Sequence, residues 1–305
     1  MNYRVKGVFA AVATPLTPDL AVDMPCLIAQ CQRLLDQGCH GLALLGSTGE
    51  ATSFAQSERK AILEAVLAAG IAPQQILLGT GLPAIGDTID LTRHALKLGV
   101  TDFLVLPPFY YKNLSDDGLV ASYRHLIDSV ADPRLALLLY HFPQFSGIPI
   151  THASIEQLRR HHPENVVGLK DSSGQHDSGL AFITKHPGFG VLAGADPLML
   201  PFLRAGGAGA ITGLANIASA SLRIIFDHAT KPESAEQVQA AQDYLEALRA
   251  LSAAYPPMAA IKTITAALLN DATWRRMRPP LTALNDADYR IITQKLAELL
   301  TSSVR

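Results

Sequence analysis

A lysine near the end of a short apolar run is the residue with the clearest chemical potential. Lys170 follows the apolar residues 166–169 and precedes the polar residues 171–173. Burying an ammonium group without a partner costs free energy, so burial of a lysine favours the neutral amine. A neutral amine attacks carbonyl carbons, which is the chemistry of Schiff-base enzymes. From this segment alone, the alternative is a lysine at the exposed end of a strand, with its stem extended toward water.

Other candidate residues follow further apolar runs. Ser47 and Thr48 stand in a glycine-flanked turn after one run, Tyr140 and Gly194 end two others, and Tyr110 follows a fourth. The hydroxyls and backbone N–H groups of such a turn suit a carboxylate, and a tyrosine beside a lysine can carry protons. Each residue alone has a plainer explanation, because the turn could be a helix cap and Tyr140 a core aromatic. Their shared position predicts a site where a lysine condenses with a 2-oxo acid.

The elements that must position these residues are short strands separated by helices. Continuous apolar runs, typical of parallel strands buried on both faces, cover residues 7–14, 41–46, 75–80, 102–107, 135–142, 166–171, 190–194 and 208–213. Eight such units predict an α/β fold, a (β/α)8 TIM barrel, whose active residues lie at the C-terminal ends of the strands. An open doubly wound sheet is the alternative, but the chain has no dinucleotide-binding glycine fingerprint.

The strand pattern stops after residue 216, and the remaining segments have helical spacing. These segments cover residues 219–230, 234–254, 257–269 and 286–300, with prolines between some of them. We therefore expect residues 1–216 to form the barrel and residues 217–305 to form a C-terminal helical extension packed on it.

Composition and charge limit the possible partners. The 305 residues are 49% hydrophobic and 17% charged, with a formal net charge of −2, so the chain can bury a large core. No lysine- and arginine-rich run is present, and no apolar stretch is long enough to span a bilayer. We therefore expect neither nucleic acid nor a membrane as a partner.

The cysteines and the N-terminus predict a cytoplasmic protein. Cys26, Cys31 and Cys39 are odd in number and are not spaced as a zinc site, so a reducing compartment is expected. Residues 1–6 lead directly into a strand-like run and do not look like a signal peptide.

Three ordered motifs resemble those of the dihydrodipicolinate synthase / N-acetylneuraminate lyase family. They are Gly-Ser-Thr-Gly-Glu at 46–50, Tyr-x-x-Pro at 140–143 and Gly-Leu-Lys-Asp at 168–171. The resemblance runs from Gly7 to Leu281 and so covers nearly the whole chain. Members of this family are homotetrameric class I lyases that form a Schiff base between the strand-6 lysine and pyruvate or a pyruvate-derived product.

The resemblance implies roles for the catalytic residues. Lys170 would form the Schiff base and Tyr140 would be the proton shuttle. Thr48 would bind the pyruvyl carboxylate together with Ser47 and would join the proton relay in synthase-like members. Tyr110 aligns with a tyrosine that reaches into a neighbouring subunit's site in many members.

The resemblance also implies what surrounds the substrate. The backbone of Ile211 would line the pyruvate site, and Gly194 and Phe145 are further candidate substrate-binding residues. Pyruvate would be the small-molecule partner, the assembly a homotetramer built as a dimer of dimers, and no metal or organic cofactor would be needed.

Two departures from the family pattern concern the second substrate. Phe145 stands where synthases have the arginine that binds the carboxylate of aspartate semialdehyde, and a phenyl ring cannot form that bidentate pair. His141 replaces an asparagine and is interpreted as a structural hydrogen-bonding residue. The turn at 46–50 is closer to neuraminate lyases, yet residues 194–197 lack the polar run of those enzymes.

The leading hypothesis is a Schiff-base-forming lyase, a class I aldolase or dehydratase that makes or cleaves a 2-oxo acid with pyruvate as product or donor. The alternative within this class is a 4-hydroxy-tetrahydrodipicolinate synthase that tolerates Phe145. A class II metal aldolase with Glu50 as a ligand lacks a histidine and carboxylate cluster of suitable spacing. The hypothesis from another class is a catalytically silent pyruvate-binding or regulatory barrel protein.

Overall fold

Eight parallel strands close into a barrel in the computed structural model, which describes residues 3–302, and they pair in chain order. The strands are β1 (Gly7–Ala11), β2 (Gly41–Leu44), β3 (Ile76–Gly79), β4 (Asp102–Val105), β5 (Ala136–His141), β6 (Val166–Asp171), β7 (Gly190–Ala193) and β8 (Gly209–Thr212). The predicted TIM barrel is confirmed. Most strands end before the predicted runs do, because the last apolar residues of those runs already belong to the loops at the barrel mouth.

Helices connect the strands and extend beyond them. They are α1 (Met24–Asp36), α2 (Gln56–Ala68), α3 (Ile85–Lys97), α4 (Asp116–Val130), α5 (Pro143–Ser146), α6 (His152–His161), α7 (His176–Lys185), α8 (Met199–Arg204), α9 (Ala215–His228), α10 (Ala235–Ala253), α11 (Pro257–Leu269) and α12 (Asp286–Ser302). Side-chain caps fix several starts. Asp23 accepts the N–H of Cys26 at α1, and Ser115 accepts the N–H of Gly118 at α4. Within residues 3–302, no helix has the length and hydropathy that a membrane span requires.

The barrel has two apolar layers. The larger layer lies between the strands and the surrounding helices, where the buried face of α1 contributes residues such as Leu27 and Leu34. The smaller layer fills the barrel interior and includes Phe9, Leu138, Tyr140 and other side chains from the inward faces of the strands. Tyr140 therefore stands at the boundary between the packed interior and the barrel mouth.

An irregularity between β5 and β6 sets the position of Lys170. Leu137 pairs with Val166, but Leu138 pairs with Gly168, so β6 contains one extra residue at this point. Tyr140 consequently pairs with Lys170 rather than with the residue before it. Because a one-residue slip turns each side chain to the opposite face of a strand, this bulge places Lys170 on the inward face together with Tyr140.

The C-terminal helices close one side of the barrel. Helix α9 begins at Ala215, before the predicted 219, and it has a kink at the non-helical Ala218. In its first turn, the buried Asn216 side chain accepts the N–H of Ala13 and donates to the carbonyl of Ala11. The predicted boundary after residue 216 falls inside this helix. Helix α11 packs against α9, α10 and α12 and carries residues of the barrel mouth, including Ile261 and Lys262.

Candidate active site

The amine of Lys170 lies in the barrel mouth against Tyr140. Lys170 and Tyr140 are both buried, with 4% and 3% of their surface exposed. Lys170 Nζ donates to Tyr140 Oη at 3.1 Å, and Ser47 Oγ lies 3.3 Å from the same hydroxyl. One phenol oxygen therefore joins the amine to the serine hydroxyl, which gives a short path for proton transfer between the amine and the turn at 46–50.

The turn at residues 46–50 has a constrained backbone. Glu50 lies in the left-handed region with φ of 56°, and its N–H donates to the Ser47 carbonyl. A Cβ atom at Gly49 would lie 2.8 Å from the Val12 carbonyl oxygen, so this position requires glycine. Among residues 3–302, no acceptor bonds the N–H groups of Ser47 and Thr48. These two N–H groups can therefore bind an anion such as a carboxylate.

A fully buried ion pair holds this turn against helix α11. Lys262 Nζ donates to Glu50 Oε1 at 2.6 Å, and neither side chain is exposed. The other carboxylate oxygen of Glu50 accepts the backbone N–H of Arg278 at 3.2 Å. Burial lowers the pKa of Lys262, and the Glu50 carboxylate opposes that shift. In the described part of the chain, no three histidine, cysteine, aspartate or glutamate side chains are grouped as in a metal site.

Two cavities meet at Tyr140. The first, here called the Lys170 cavity, has a volume of about 360 Å³. Its polar wall residues are Ser47, Thr48, Tyr140, Gln144, Lys170, Ser172, Ser173, Asp196, Arg249, Ser252 and Tyr255. The second, here called the apolar cavity, has a volume of about 430 Å³. Its large apolar wall residues are Leu45, Leu104, Leu106, Phe109, Phe145, Met258, Pro280 and Leu281.

The structure brings most of the predicted site residues to the Lys170 cavity. Ser47, Thr48 and Gly194 line it beside Lys170 and Tyr140. The N–H of Gly194 donates to the carbonyl of Asp171, and a Cβ atom on Gly194 would lie 2.0 Å from Ser172 Oγ. The loop after β7 can therefore approach the end of β6 this closely because residue 194 is glycine.

The remaining three predicted residues lie in both cavities, inside the barrel and on the surface, respectively. Phe145 lines both cavities, and its ring stacks on Phe142 with centroids 4.3 Å apart. Ile211 is buried inside the barrel, in the apolar cluster that includes Tyr140. Tyr110 is 73% exposed and contacts Tyr111 edge to face, so it does not reach Lys170 within one chain.

His141 makes a structural contact behind the site. Its Nδ1 accepts the N–H of Ile150 at 3.0 Å, and its ring packs edge to face on Phe182. Burial lowers the pKa of His141, while the Asp171 carboxylate acts in the opposite direction. The neutral imidazole is therefore the form that fits this position.

Sequence reasoning missed Lys262, Asp196 and Arg249. A lysine within the apolar helical segment 257–269 was a signal of the same kind as Lys170, and Lys262 could have been found from it. Asp196 lies two residues after the end of the predicted run 190–194. Arg249 had no signal, because an arginine on an amphipathic helix is ordinarily an exposed charge.

Schiff-base lyases need an amine in a sheltered cavity, a hydroxyl that moves protons, and donors that hold a carboxylate. The mouth of this barrel has groups of a kind that suits all three requirements, and the chain is an enzyme of this class. It belongs to the dihydrodipicolinate synthetase family, whose model matches residues 4–299. The family expected from the three sequence motifs is confirmed.

Individual relatives agree with this assignment. An uncharacterized DapA-like lyase of Chloroflexus aurantiacus is 39% identical over 248 residues, which are 81% of each chain. Dihydrodipicolinate synthase from Agrobacterium tumefaciens is 30% identical, with a TM-score of 0.89 over 96% of this chain and 99% of its own. YagE of Escherichia coli, a prophage protein of the same family solved in complex with pyruvate, is 27% identical, with a TM-score of 0.88 over 97% and 98% of the two chains.

Removing one member of the buried ion pair should destabilise the protein strongly. Glu50→Gln keeps an acceptor for the Arg278 N–H but leaves Lys262 unpaired, so we expect a loss of about 3–5 kcal/mol in the free energy of unfolding. Adding Lys262→Met should recover much of that loss. Urea unfolding measures both values, with Lys60→Met in the exposed Lys60–Asp90 pair as the control. Equal losses in the single and double variants would contradict the assigned pairing.

Burial of neutral His141 predicts a loss of stability in mild acid. The pKa of His141 lies below its ordinary value of 6.5, so the unfolded chain binds more protons as the pH falls below about 6.5. Stability should therefore fall through this window, and His141→Asn, which keeps an acceptor for Ile150, should reduce the slope. Melting temperatures measured between about pH 7.5 and 5.5 test this, with exposed His125→Asn as the control. An unchanged slope in His141→Asn would contradict it.

Proposed function

We propose that Lys170 forms a Schiff base with pyruvate, or with a pyruvate-derived 2-oxo acid, and that the enzyme makes or cleaves a longer 2-oxo acid as a class I aldolase or dehydratase. The proposal rests on the hydrogen-bonded series of Lys170 Nζ, Tyr140 Oη and Ser47 Oγ in a sheltered cavity. The pyruvate complex of YagE, a member of the same family, supports the choice of pyruvate.

The geometry suggests a role for each group. The Lys170 amine attacks the C2 carbonyl, and Tyr140 returns a proton to the oxygen that leaves as water. Loss of a C3 proton then gives an enamine, which attacks an aldehyde carbon in the synthetic direction. Cleavage follows the same steps in reverse. The N–H groups of Ser47 and Thr48 would hold the carboxylate throughout, and the protonated imine serves as the electron sink without a metal or organic cofactor.

The second substrate is proposed to differ from aspartate semialdehyde. Phe145 stacks on Phe142, and the ring of Phe142 stacks on Tyr140 with centroids 5.7 Å apart, so the segment after β5 presents aromatic surface to the Lys170 cavity. A carboxylate has no bidentate partner at Phe145. Synthase activity is the alternative within the class. Consumption of aspartate semialdehyde in a pyruvate-dependent assay would favour it.

We also propose that the protein is a homotetramer, built as a dimer of dimers, and that it is located in the cytoplasm. Tyr110 and Tyr111 are in contact and exposed, and Phe145 is also exposed, so these aromatic side chains suit contact with a second copy of the chain. The free thiols of Cys31 and Cys39 are buried, and burial raises the pKa of each to about 12, which suits a reducing compartment.

Borohydride trapping with pyruvate tests the Schiff base. We expect intact mass to rise by one pyruvic acid minus one water plus two hydrogens, with the adduct mapped to Lys170. Lys170→Arg should abolish the adduct, and exposed Lys185→Arg should retain it. Tyr140→Phe should slow trapping roughly hundredfold, because the proton shuttle is lost. If the wild-type protein gains no adduct, the proposal is wrong, and a catalytically silent pyruvate-binding or regulatory barrel protein is favoured instead.

Two measurements, the assembly state and the exchange of pyruvate protons, test whether Tyr110 contributes to a neighbouring subunit's site. Sedimentation should show a tetramer, and NMR in deuterated water should show exchange of the pyruvate methyl protons. Tyr110→Phe should leave the assembly intact and slow the exchange about tenfold or more, since one member of the proton relay is removed. Tyr111→Phe is the matched control and should exchange normally. A monomer with full exchange would count against the tetramer and against this role.

A further inference from the structure

The side chain of Lys112 joins helix α5 to the loop after β4, here called the tyrosine loop (residues 107–114). Resting on the proposed function, in which Tyr110 enters a neighbouring subunit's site, we propose that Lys112 is a positioning residue for that tyrosine. Its ammonium group holds the tyrosine loop against α5 of the same chain. Loss of this ammonium group should therefore impair the neighbouring subunit's site, where Tyr110 acts.

The ammonium group of Lys112 bonds two backbone carbonyls from different segments. Lys112 Nζ donates to the carbonyl of Ser146 at 2.8 Å and also to the carbonyl of Phe109, three residues earlier in its own loop. Among residues 3–302, no carboxylate forms an ion pair with Lys112. Within the described chain, this cation therefore joins two segments instead of neutralising an acid.

The carbonyl on α5 is buried and needs a donor. Ser146 is 1% exposed and is the last residue of α5, where helix carbonyls lack N–H partners from the same helix. A buried carbonyl without a partner costs free energy, and a lysine side chain at a helix C-terminus can supply the missing bond. Lys112 supplies it from 34 positions earlier in the chain, so the end of α5 and the tyrosine loop are fixed together.

The stem of Lys112 also packs on the end of α5. A Cβ atom at Gly147 would lie 2.9 Å from Lys112 Cδ, so the stem lies directly on the backbone that follows α5. Phe109 and Ser146, whose carbonyls accept from Lys112, both line the apolar cavity. Replacement of Lys112 by methionine would keep the stem contact and remove the donor, which makes it the informative substitution.

Within one chain, Tyr110 has few contacts that could fix its position. It is 73% exposed, and its ring contacts that of Tyr111, which is itself 66% exposed. Among residues 3–302, Lys112 is the one side chain that forms a hydrogen bond with any residue of the tyrosine loop. Because Lys112 stands two residues after Tyr110, its two bonds set where the tyrosine begins its reach toward a second copy of the chain.

The first measurement is the exchange of pyruvate methyl protons in the full-length protein. Lys112→Met should slow this exchange about threefold to tenfold, because a catalytic group displaced from its position loses rate. Lys112→Arg, which keeps donors for both carbonyls, should recover most of the loss. Sedimentation should still show a tetramer. The pyruvate concentration at half-maximal borohydride trapping should change less than about twofold, since Lys112 does not line the Lys170 cavity. Exposed Lys97→Met on α3 is the control and should exchange normally.

Mixed assemblies then show in which subunit the loss arises. A Lys112→Met chain, which keeps Lys170, is co-expressed with a Lys170→Arg chain, which keeps Lys112, and the assemblies are purified through a different tag on each chain. In a mixed pair, the Lys170→Arg chain supplies a correctly held Tyr110 to the intact lysine of its neighbour. Exchange per intact Lys170 should therefore be at least about twofold faster than in the Lys112→Met assembly alone, because related subunits exchange the same contact in a symmetric pair.

Two results would overturn the positioning role of Lys112. One is exchange in Lys112→Met at the wild-type rate. The other is a mixed assembly with no gain per intact Lys170, since the loss would then lie in the same chain as the substitution. If the wild-type protein neither traps pyruvate on Lys170 nor exchanges its methyl protons, the proposed function fails instead, so the two failures are distinguishable.

Discussion

The register between β5 and β6 is the constraint on which the site depends. One extra residue in β6 pairs Tyr140 with Lys170, and both side chains then face the barrel interior. Gly168 beside the irregularity is equally constrained, because a Cβ atom there would lie 2.4 Å from the carbonyl oxygen of Gly190. The hydrogen bond from Lys170 to Tyr140 is thus a consequence of strand pairing, and regular pairing without the bulge would turn the amine away from the tyrosine.

Two lysines are buried near the barrel mouth, and their amines have different hydrogen-bond partners. Lys262 is paired with the Glu50 carboxylate and holds a turn in place. Lys170 has no ion pair within residues 3–302 and is bonded to a neutral hydroxyl instead. An amine committed to a carboxylate is a poor nucleophile, so the proposed chemistry uses Lys170, the lysine without such a partner. The paired lysine contributes indirectly, because Glu50 terminates the turn that carries Ser47 and Thr48.

The barrel and the meeting of Lys170 with Tyr140 could be predicted because they depend on patterns within short stretches of sequence. Continuous apolar runs specify buried parallel strands, and strand ends specify which side chains meet at the mouth. The bulge in β6 could not be predicted, since residues 166–169 read as a regular apolar run. The position of Arg249 in the wall of the Lys170 cavity could not be predicted either, because it depends on how α10 packs on the barrel. The exposed position of Tyr110 in one chain follows from a loop whose conformation no periodic pattern specifies.

In the proposed function, the two ends of the substrate contact different parts of the chain. The proposed pyruvyl site lies at strand ends and at the turn at 46–50, which backbone hydrogen bonds and the buried pair hold in place. The rest of the Lys170 cavity includes the aromatic rings of Phe142 and Phe145, which follow β5 and lie outside the strands. Substitutions in those outer elements change contacts without altering strand register. The proposed Schiff-base chemistry can therefore stay constant while residues outside the strands, such as Phe145, differ.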